Sequence, residues 1–444
     1  MGNDRLLTAL AQISPDEAER FFGSECVVEP PDPTRELAPV KRVAMFAESF
    51  LPKVDGVSKT AFLTLRYMQN TGREVLVFAP DTAPSAIGNA RVIPLPSLGM
   101  VMAPETRLAL PHPMIAQHLD EFKPDMVHLF SPALLSLGGM SYARQNRIPV
   151  IANYQTDLPA YANHYNLHLF SHAVRDSLRF LHNQCHLTLA PSHFTINQLR
   201  GDGYRRLKKW SRGVNANHYT PARRSEAWRA RLLNGRDKDS FLIIFVGRLA
   251  NEKKVDLLLE AAKQPGVSLT IIGDGALRPE LEARFAGTDT HFMGYLYGED
   301  LANAFASADA FFFTGVSETF GQVVHEAMAS GLPCVVPALG GVTDLVRDGV
   351  NGFLVQPEPG AYAVAAARLR DDKDLRRLMG EASRRAAEAA PWHIIMEQLE
   401  SHYALAQAIC ARFNRQVPPP ANVLEQIVQL SSATLFRKPS RRVS

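Results

Sequence analysis

The chain has 444 residues, 46% of them apolar and 21% charged, with a formal net charge of only +3. That length exceeds what one hydrophobic core usually organises, so two domains are expected, and the weak charge argues against a dedicated nucleic-acid binder. Four scattered cysteines (Cys26, Cys185, Cys334 and Cys410) without a C-x-x-C pair argue against a disulfide framework or zinc site and suit reduced thiols in the cytoplasm. The amino terminus lacks an apolar signal core, and no window approaches the ~20 apolar residues that span a bilayer. The protein is therefore expected in the cytoplasm, at most held against a membrane surface.

In chain order, residues 1–38 read as an extension that ends in the linker Pro30-Pro31-Asp32-Pro33. The apolar run 42–48 predicts a strand, followed by a loop with Pro52 and Gly56 and an amphipathic helix over 57–68 that Gly72 stops. Strand-like runs recur at 74–79, 125–130, 149–154 and 187–190, with helical segments between most of them. The alternation restarts at Phe241–Gly247, with a helix predicted over 255–263 and strands at 269–272, 310–313 and 333–336. Polar and basic residues interrupt the pattern near 214–224. Twice-repeated strand–helix alternation implies two parallel sheets, each covered on both faces. The expected organisation is a first domain at 39–216, a second at 217–390, a helix at 391–412 crossing back to the first, and a tail at 413–444. Ligands of open α/β sheets sit beyond the carboxyl ends of the strands, so the site is expected in a cleft between the domains.

Two stretches carry the chemistry. After the Phe241–Gly247 strand stands Gly247-Arg248-Leu249-Ala250-Asn251-Glu252-Lys253-Lys254. Arg248 and Lys253 flank a loop that opens onto the predicted helix, so two cations and free N–H groups converge where an anion can sit. Further on, Ser317-Glu318-Thr319-Phe320-Gly321-Gln322-Val323-Val324-His325-Glu326 places one carboxylate at a helix mouth and another two turns along it. Such a pair can bracket the hydroxyls of a sugar and of a ribose. Eight helical residues rise about 12 Å, too far for the roughly 5 Å carboxylate pair of a retaining hydrolase.

This second stretch resembles the E-x7-E motif of retaining, nucleotide-sugar-dependent glycosyltransferases of the family-4 kind, which adopt the GT-B fold of two Rossmann-like doubly wound domains facing across a cleft. Arg248 and Lys253 occupy the place of that family's G-R-x-x-x-x-K, and Arg248 stands 70 positions before Glu318. Gly273-Asp274-Gly275 is similar to the family's turn near the nucleotide. Glu48-Ser49-Phe50-Leu51-Pro52-Lys53-Val54-Asp55-Gly56-Val57 resembles its first strand–loop–helix, where Gly56 lets the backbone approach phosphate oxygens. Asn153-Tyr154-Gln155-Thr156-Asp157 stands where many relatives carry H-T-D or H-T-H. Gln155 can donate a hydrogen bond but does not titrate near neutrality, so no catalytic histidine is transferred. Q-T-D is similar to actinobacterial-type mannosyltransferases that use GDP-mannose and lipid acceptors. Trp210-Ser211-Arg212-Gly213-Val214 is also similar to sulfoquinovosyldiacylglycerol synthases. The resemblance covers residues 40–410.

The resemblance implies a hexosyltransferase with Arg248, Lys253 and Glu318 as catalytic groups. Its donor contacts would be Gly56, Arg248, Lys253, Glu318, Phe320, Gly321 and Glu326, with Glu318 on the sugar and Glu326 on the ribose. Gln155 and Asp157 would lie beside the sugar and acceptor. It implies no cofactor and no obligatory metal, in keeping with the lack of a D-x-D triplet. A nucleotide-sugar donor, a lipid or glycolipid acceptor and an anionic membrane surface are the expected partners. The surface contact would come from Arg205, Arg206, Lys208, Lys209 and Arg212, with Arg437, Lys438, Arg441 and Arg442 of the tail. The alternatives are a sulfoquinovosyl- or glucosyltransferase using a UDP-sugar and, from another class, a non-catalytic nucleotide-sugar-binding protein.

Overall fold

In a computed structural model, the structure describes residues 36–51, 56–100, 103–155 and 168–416. Cys26, the Pro30–Pro33 linker, the loop 52–55, Asp157 and the basic tail lie outside them.

The first sheet contains β1 (Arg42–Ala47), β2 (Glu74–Pro80), β3 (Ala86–Ile87), β4 (Ala90–Leu95), β7 (Met126–Phe130), β8 (Val150–Asn153), β9 (Leu187–Ala190) and β10 (Leu207–Lys209). Strands β5 (Ser97–Met100) and β6 (Ala103–Ala109) form a separate antiparallel hairpin. The sheet order is β10-β9-β8-β7-β1-β2-β4-β3, parallel throughout except for β3 against β4. Strand β1 buries five of its six residues. A strand covered on both faces by crossover helices reads as a continuous apolar run, without alternation.

The second sheet has the order β13-β12-β11-β14-β15-β16, all parallel. Its strands are β11 (Phe241–Val246), β12 (Val267–Ile272), β13 (Thr290–Gly294), β14 (Ala310–Phe312), β15 (Cys334–Pro337) and β16 (Gly352–Val355). In each sheet the first strand lies between neighbours reached by opposite crossovers: β1 between β2 and β7, and β11 between β12 and β14. Each domain therefore opens a crevice at the carboxyl end of its first strand.

Two local outcomes differ from the sequence reading. The helix predicted over 255–263 is a 3-10 turn at Val255–Leu258 followed by a single α-turn at Leu259–Ala262. Lys254 enters this segment in the left-handed region (φ 49°), which breaks continuity at the start, and Pro265-Gly266 stops it soon after. Strands β3 to β6, β10, β13 and β16 were not expected: β10 and β13 have no buried residue, and β16 buries only its first two.

The last helix, Trp392–Gln416, packs on the first domain although it follows the second in sequence. Trp392, Ile395, Met396, Leu399 and Tyr403 join Phe62, Leu63 and Trp210 in one buried cluster. Trp210 Nε1 donates to the Ile395 carbonyl at 2.8 Å. Arg73 forms a bidentate pair with Glu400 at 2.9 and 2.7 Å, both side chains being 4% exposed or less. Glu400 also accepts from the Ala38 N–H at 3.0 Å. Removing one partner of such a buried pair costs about 3–5 kcal/mol, because the other charge is stranded.

Candidate active site

The second-domain wall of the cleft is built at the end of β11. Gly247 follows the strand, and a 3-10 turn at Asn251–Lys253 replaces the expected helix mouth, so Arg248 and Lys253 are carried by loop and 3-10 backbone. Lys253 Nζ pairs with the Glu318 carboxylate and stands 5.5 Å from the centre of the Phe313 ring. The Thr314 hydroxyl donates to the Lys253 carbonyl at 2.5 Å, fixing the main chain. Arg248 Nη2 pairs with Glu252 at 2.6 Å. Burial pushes the Glu318 carboxyl up, but Lys253, with Arg212 and Arg248, outweighs burial and holds it below its ordinary range. Glu318 is thus an anion through neutral pH, surrounded by three cations.

Gly321 begins the helix Gln322–Ala329 in the left-handed region, φ 94°, where a Cβ would meet Val342 at 2.5 Å. The Phe320 ring is 1% exposed and packs edge-on against His325, so only its main chain is available to a donor. Glu326, 4% exposed, accepts from Lys59 Nζ across the cleft at 3.2 Å. The two glutamates therefore serve different neighbours: Glu318 pairs with Lys253 of its own domain, with Arg212 of the other also acting on it, and Glu326 pairs with Lys59 of the other.

On the first-domain wall, Gly56 opens the helix Gly56–Asn70. A Cβ there would collide with the Arg212 guanidinium, so glycine permits a close approach of that cation to the helix start. Arg212 is 8% exposed and lines a small pocket with Thr60, Asn153, Tyr154, Gln155 and Trp210. Gln155 is 7% exposed and its carbonyl accepts from the Thr319 hydroxyl at 2.8 Å. The Thr319 carbonyl in turn accepts from Ser192 at 2.8 Å and Thr195 at 3.1 Å. Gln322 Nε2 donates to the Gly213 carbonyl at 3.1 Å, and Asp344 accepts from the His193 N–H and from Lys209 Nζ, each at 2.9 Å. These bonds hold the two walls together.

Behind this wall, at the end of β1, Glu48 Oε1 accepts from the N–H groups of Ala133 and Ser136 at 2.8 and 2.9 Å. Burial raises its pKa to about 7, more than those main-chain bonds lower it.

The structure thus gathers Gly56, Gln155, Arg248, Lys253, Glu318, Gly321 and Glu326 about one cleft, while Asp157 lies outside the described residues. Sequence reasoning missed Lys59, Arg212 and Thr319. Lys59 looked like any cation on an amphipathic helix. Arg212 was assigned to a basic membrane-facing stretch, and that assignment needs correcting. Arg212 is buried, Arg206 bonds the Cys185 carbonyl at 3.1 and 2.9 Å, and Lys209 is tied to Asp344. Of the five basic residues at 205–212, Arg205 and Lys208 alone are exposed.

Models of two protein families match the chain, Glycosyltransferase Family 4 over residues 54–218 and Glycosyl transferases group 1 over residues 226–386. A GDP-mannose-dependent alpha-mannosyltransferase of Mycobacterium tuberculosis (strain CDC 1551 / Oshkosh) is 38% identical over 371 residues, 82% of this chain and 96% of its own length. The sulfoquinovosyl transferase SQD2 of Arabidopsis thaliana is 34% identical over 367 residues, 80% of this chain and 72% of its own. Anabaena HepE, solved with UDP and glucose, aligns with a TM-score of 0.63 at 20% identity, covering 82% of this chain and 98% of that one. That last likeness bears on the fold, which is GT-B.

Proposed function

The chain belongs to the group 1 glycosyltransferases with a family 4 amino-terminal domain, and as a hexosyltransferase of this kind we propose that it moves mannose from GDP-mannose to a hydroxyl of a glycolipid, with retention. The observation that carries the reading is the Lys253–Glu318 pair, which Thr319 ties directly to the Gln155 main chain on the opposite wall. A donor sugar bound there meets cations on its phosphate side and neutral polar groups on its hydroxyl side. The relative at 38% identity supports mannosyl transfer from a GDP-mannose donor, and the glycolipid acceptor follows from the resemblance of the Gln155-Thr156-Asp157 stretch.

In the proposed reaction the bond between the anomeric carbon and the β-phosphate oxygen breaks while Arg248 and Lys253 stabilise the charge growing on the diphosphate. Fixed charges aimed at a leaving group contribute much of a catalyst's rate enhancement. The acceptor oxygen bonds to the anomeric carbon on the same face, and its proton passes to the departing phosphate. Glu318 binds the sugar and orders Lys253, Glu326 binds the ribose, and no protein nucleophile is used. The leaving group is neutralised by side chains, so no metal is required. Among the described residues no helix is long and apolar enough to cross a membrane, which is compatible with work at the cytoplasmic membrane face through peripheral contact.

The test is nucleotide release from a panel of GDP-mannose, GDP-glucose, UDP-glucose and UDP-sulfoquinovose, with and without glycolipid acceptors. GDP release from GDP-mannose, stimulated by glycolipid, is expected. Preferential UDP release would establish the second reading, a UDP-sugar transferase, which the Trp210–Val214 stretch and the plant relative favour. Binding without release from any donor would mark a non-catalytic protein.

A further inference from the structure

Among the uncharged side chains of the pocket beside Arg212, two buried polar atoms have no partner among the described residues, Asn153 Nδ2 and Gln155 Oε1. Asn153 is 1% exposed and Gln155 7%. A buried polar atom left unpaired in this way costs about 1–3 kcal/mol, so such atoms call for an occupant. The pocket has room for about one water-sized group. One atom is a donor and the other an acceptor. A single hydroxyl, which can do both, satisfies the pair; an anion or a cation satisfies only one.

The Asn153 amide is held from behind. Its Oδ1 lies 3.1 Å from His128 Nε2, and His128 Nδ1 lies 2.8 Å from the Tyr403 hydroxyl. His128 is fully buried, and burial lowers its pKa to about 4; burial also raises the Tyr403 hydroxyl far above its ordinary value. Both groups are therefore neutral at pH 7. If Tyr403 O–H donates to Nδ1 at 2.8 Å and not to Met68 Sδ at 4.0 Å, the imidazole proton sits on Nε2 and donates to Asn153 Oδ1, and the amide must present its N–H groups to the pocket. In the other tautomer the amide would turn over and present oxygen beside the oxygen of Gln155. Tyr403 belongs to the helix Trp392–Gln416, so the chain of bonds starts on the element that crosses back from the second domain.

We propose that Asn153 and Gln155 form a subsite for one substrate hydroxyl, Asn153 donating to it and Gln155 accepting from it, with His128 and Tyr403 as positioning residues. This rests on the transferase reading above. The hydroxyl belongs either to the transferred sugar or to a sugar acceptor, and the pocket's chemistry is the same for both.

The experiment compares wild type, Asn153→Ala and Tyr403→Phe on GDP-mannose and its monodeoxy forms, then on a short alkyl mannoside acceptor and its monodeoxy forms. One deoxy position should cost the wild type about tenfold in kcat/KM, the scale of one well-made hydrogen bond. In Asn153→Ala that penalty should vanish while the penalties at other positions persist; in Tyr403→Phe it should shrink. GDP affinity should stay the same in both variants, which a general loss of structure would not allow. The donor or the acceptor series identifies the hydroxyl's source. Unaltered penalties across both series in Asn153→Ala would overturn the subsite. If another nucleotide-sugar is the one turned over, the donor assignment fails, and the same comparison on that sugar's deoxy forms still decides the subsite. Nitrogen-15 NMR of His128 is independent of any donor: the Nε2–H tautomer at pH 7 is expected, and the Nδ1–H tautomer would overturn the positioning chain even if the protein proved to have no transferase activity.

Discussion

The two walls of the cleft differ in kind. The second-domain wall is charged, with Arg248, Lys253, Glu318 and Glu326 within one β11-to-helix stretch. The first-domain wall meets them with Lys59 and the buried Arg212 and is otherwise neutral, presenting Thr60, Asn153 and Gln155. In the proposed reaction the charged wall sets the rate, because charge changes most on the diphosphate. The neutral wall selects the substrate, because hydroxyls are distinguished by hydrogen bonds whose donors and acceptors do not change with pH.

The strongest way to break this contrast is Lys253→Ala. Turnover is expected to fall about 100- to 1000-fold, as when a charge-stabilising group is removed from an active site, while the urea midpoint moves little. The pair is partly solvated, at 19% and 27% exposure, which limits its share of stability. Full nucleotide release by folded Lys253→Ala would show that the diphosphate is bound elsewhere. Arg248→Ala should act in the same direction with a smaller loss, since its side chain is 35% exposed and already shared with Glu252.

Glu48 tests how neutral the first wall is. Its folded pKa of about 7 lies above the ordinary 4.5, so the folded protein holds a proton that the unfolded chain releases between those values. Its contribution to stability is complete below about pH 4.5 and is lost as pH rises through 7, by on the order of 3 kcal/mol. Glu48→Gln should flatten this part of the pH–stability curve in urea titrations at pH 5, 6 and 8. Parallel curves for the two proteins would mean that the carboxyl is ionised throughout.

A division of labour between the glutamates is expected within the charged wall. Glu326→Gln should weaken GDP binding roughly tenfold, the value of a hydrogen bond to a charged group, whereas Glu318→Gln should leave GDP binding unchanged and lower turnover with the sugar donor. Calorimetric titration with GDP alone separates them, and equal weakening by both would refute the split. The smallest effect should come from EDTA, which is expected to leave turnover unaltered. Activity lost to chelation and restored by manganese or magnesium would put a cation on the charged wall in place of the side chains.

The charged wall was legible in the sequence because its residues keep fixed spacings along β11, its loop and the Gln322–Ala329 helix. Most of the neutral wall was not. Gln155 was visible as a departure from a histidine, but Asn153, His128 and Tyr403 meet only when a helix 275 positions away from His128 folds back onto the first sheet. The direction of a cation was equally hidden. Lys59 and Arg212 sit in segments whose periodicity gives no sign that they turn inward, and Arg212 reads naturally as part of a basic surface. The short strands β13 and β16 and the 3-10 turns after Lys254 escaped for a local reason: neither gives enough apolar repeats to define a period.

The helix Trp392–Gln416 also sets a schedule for the molecule's making. Protein domains usually fold in the order in which they leave the ribosome. Here the first domain emerges with one hydrophobic face uncovered and with Arg73 lacking its carboxylate, and both wait for residues that are translated after the entire second domain. The first half of the polypeptide is thus an incomplete object during most of its own synthesis, exposed to chaperones for as long as the second half takes to appear. A nascent chain stalled with residue 390 outside the exit tunnel should leave that face open to protease, and extension past residue 416 should close it.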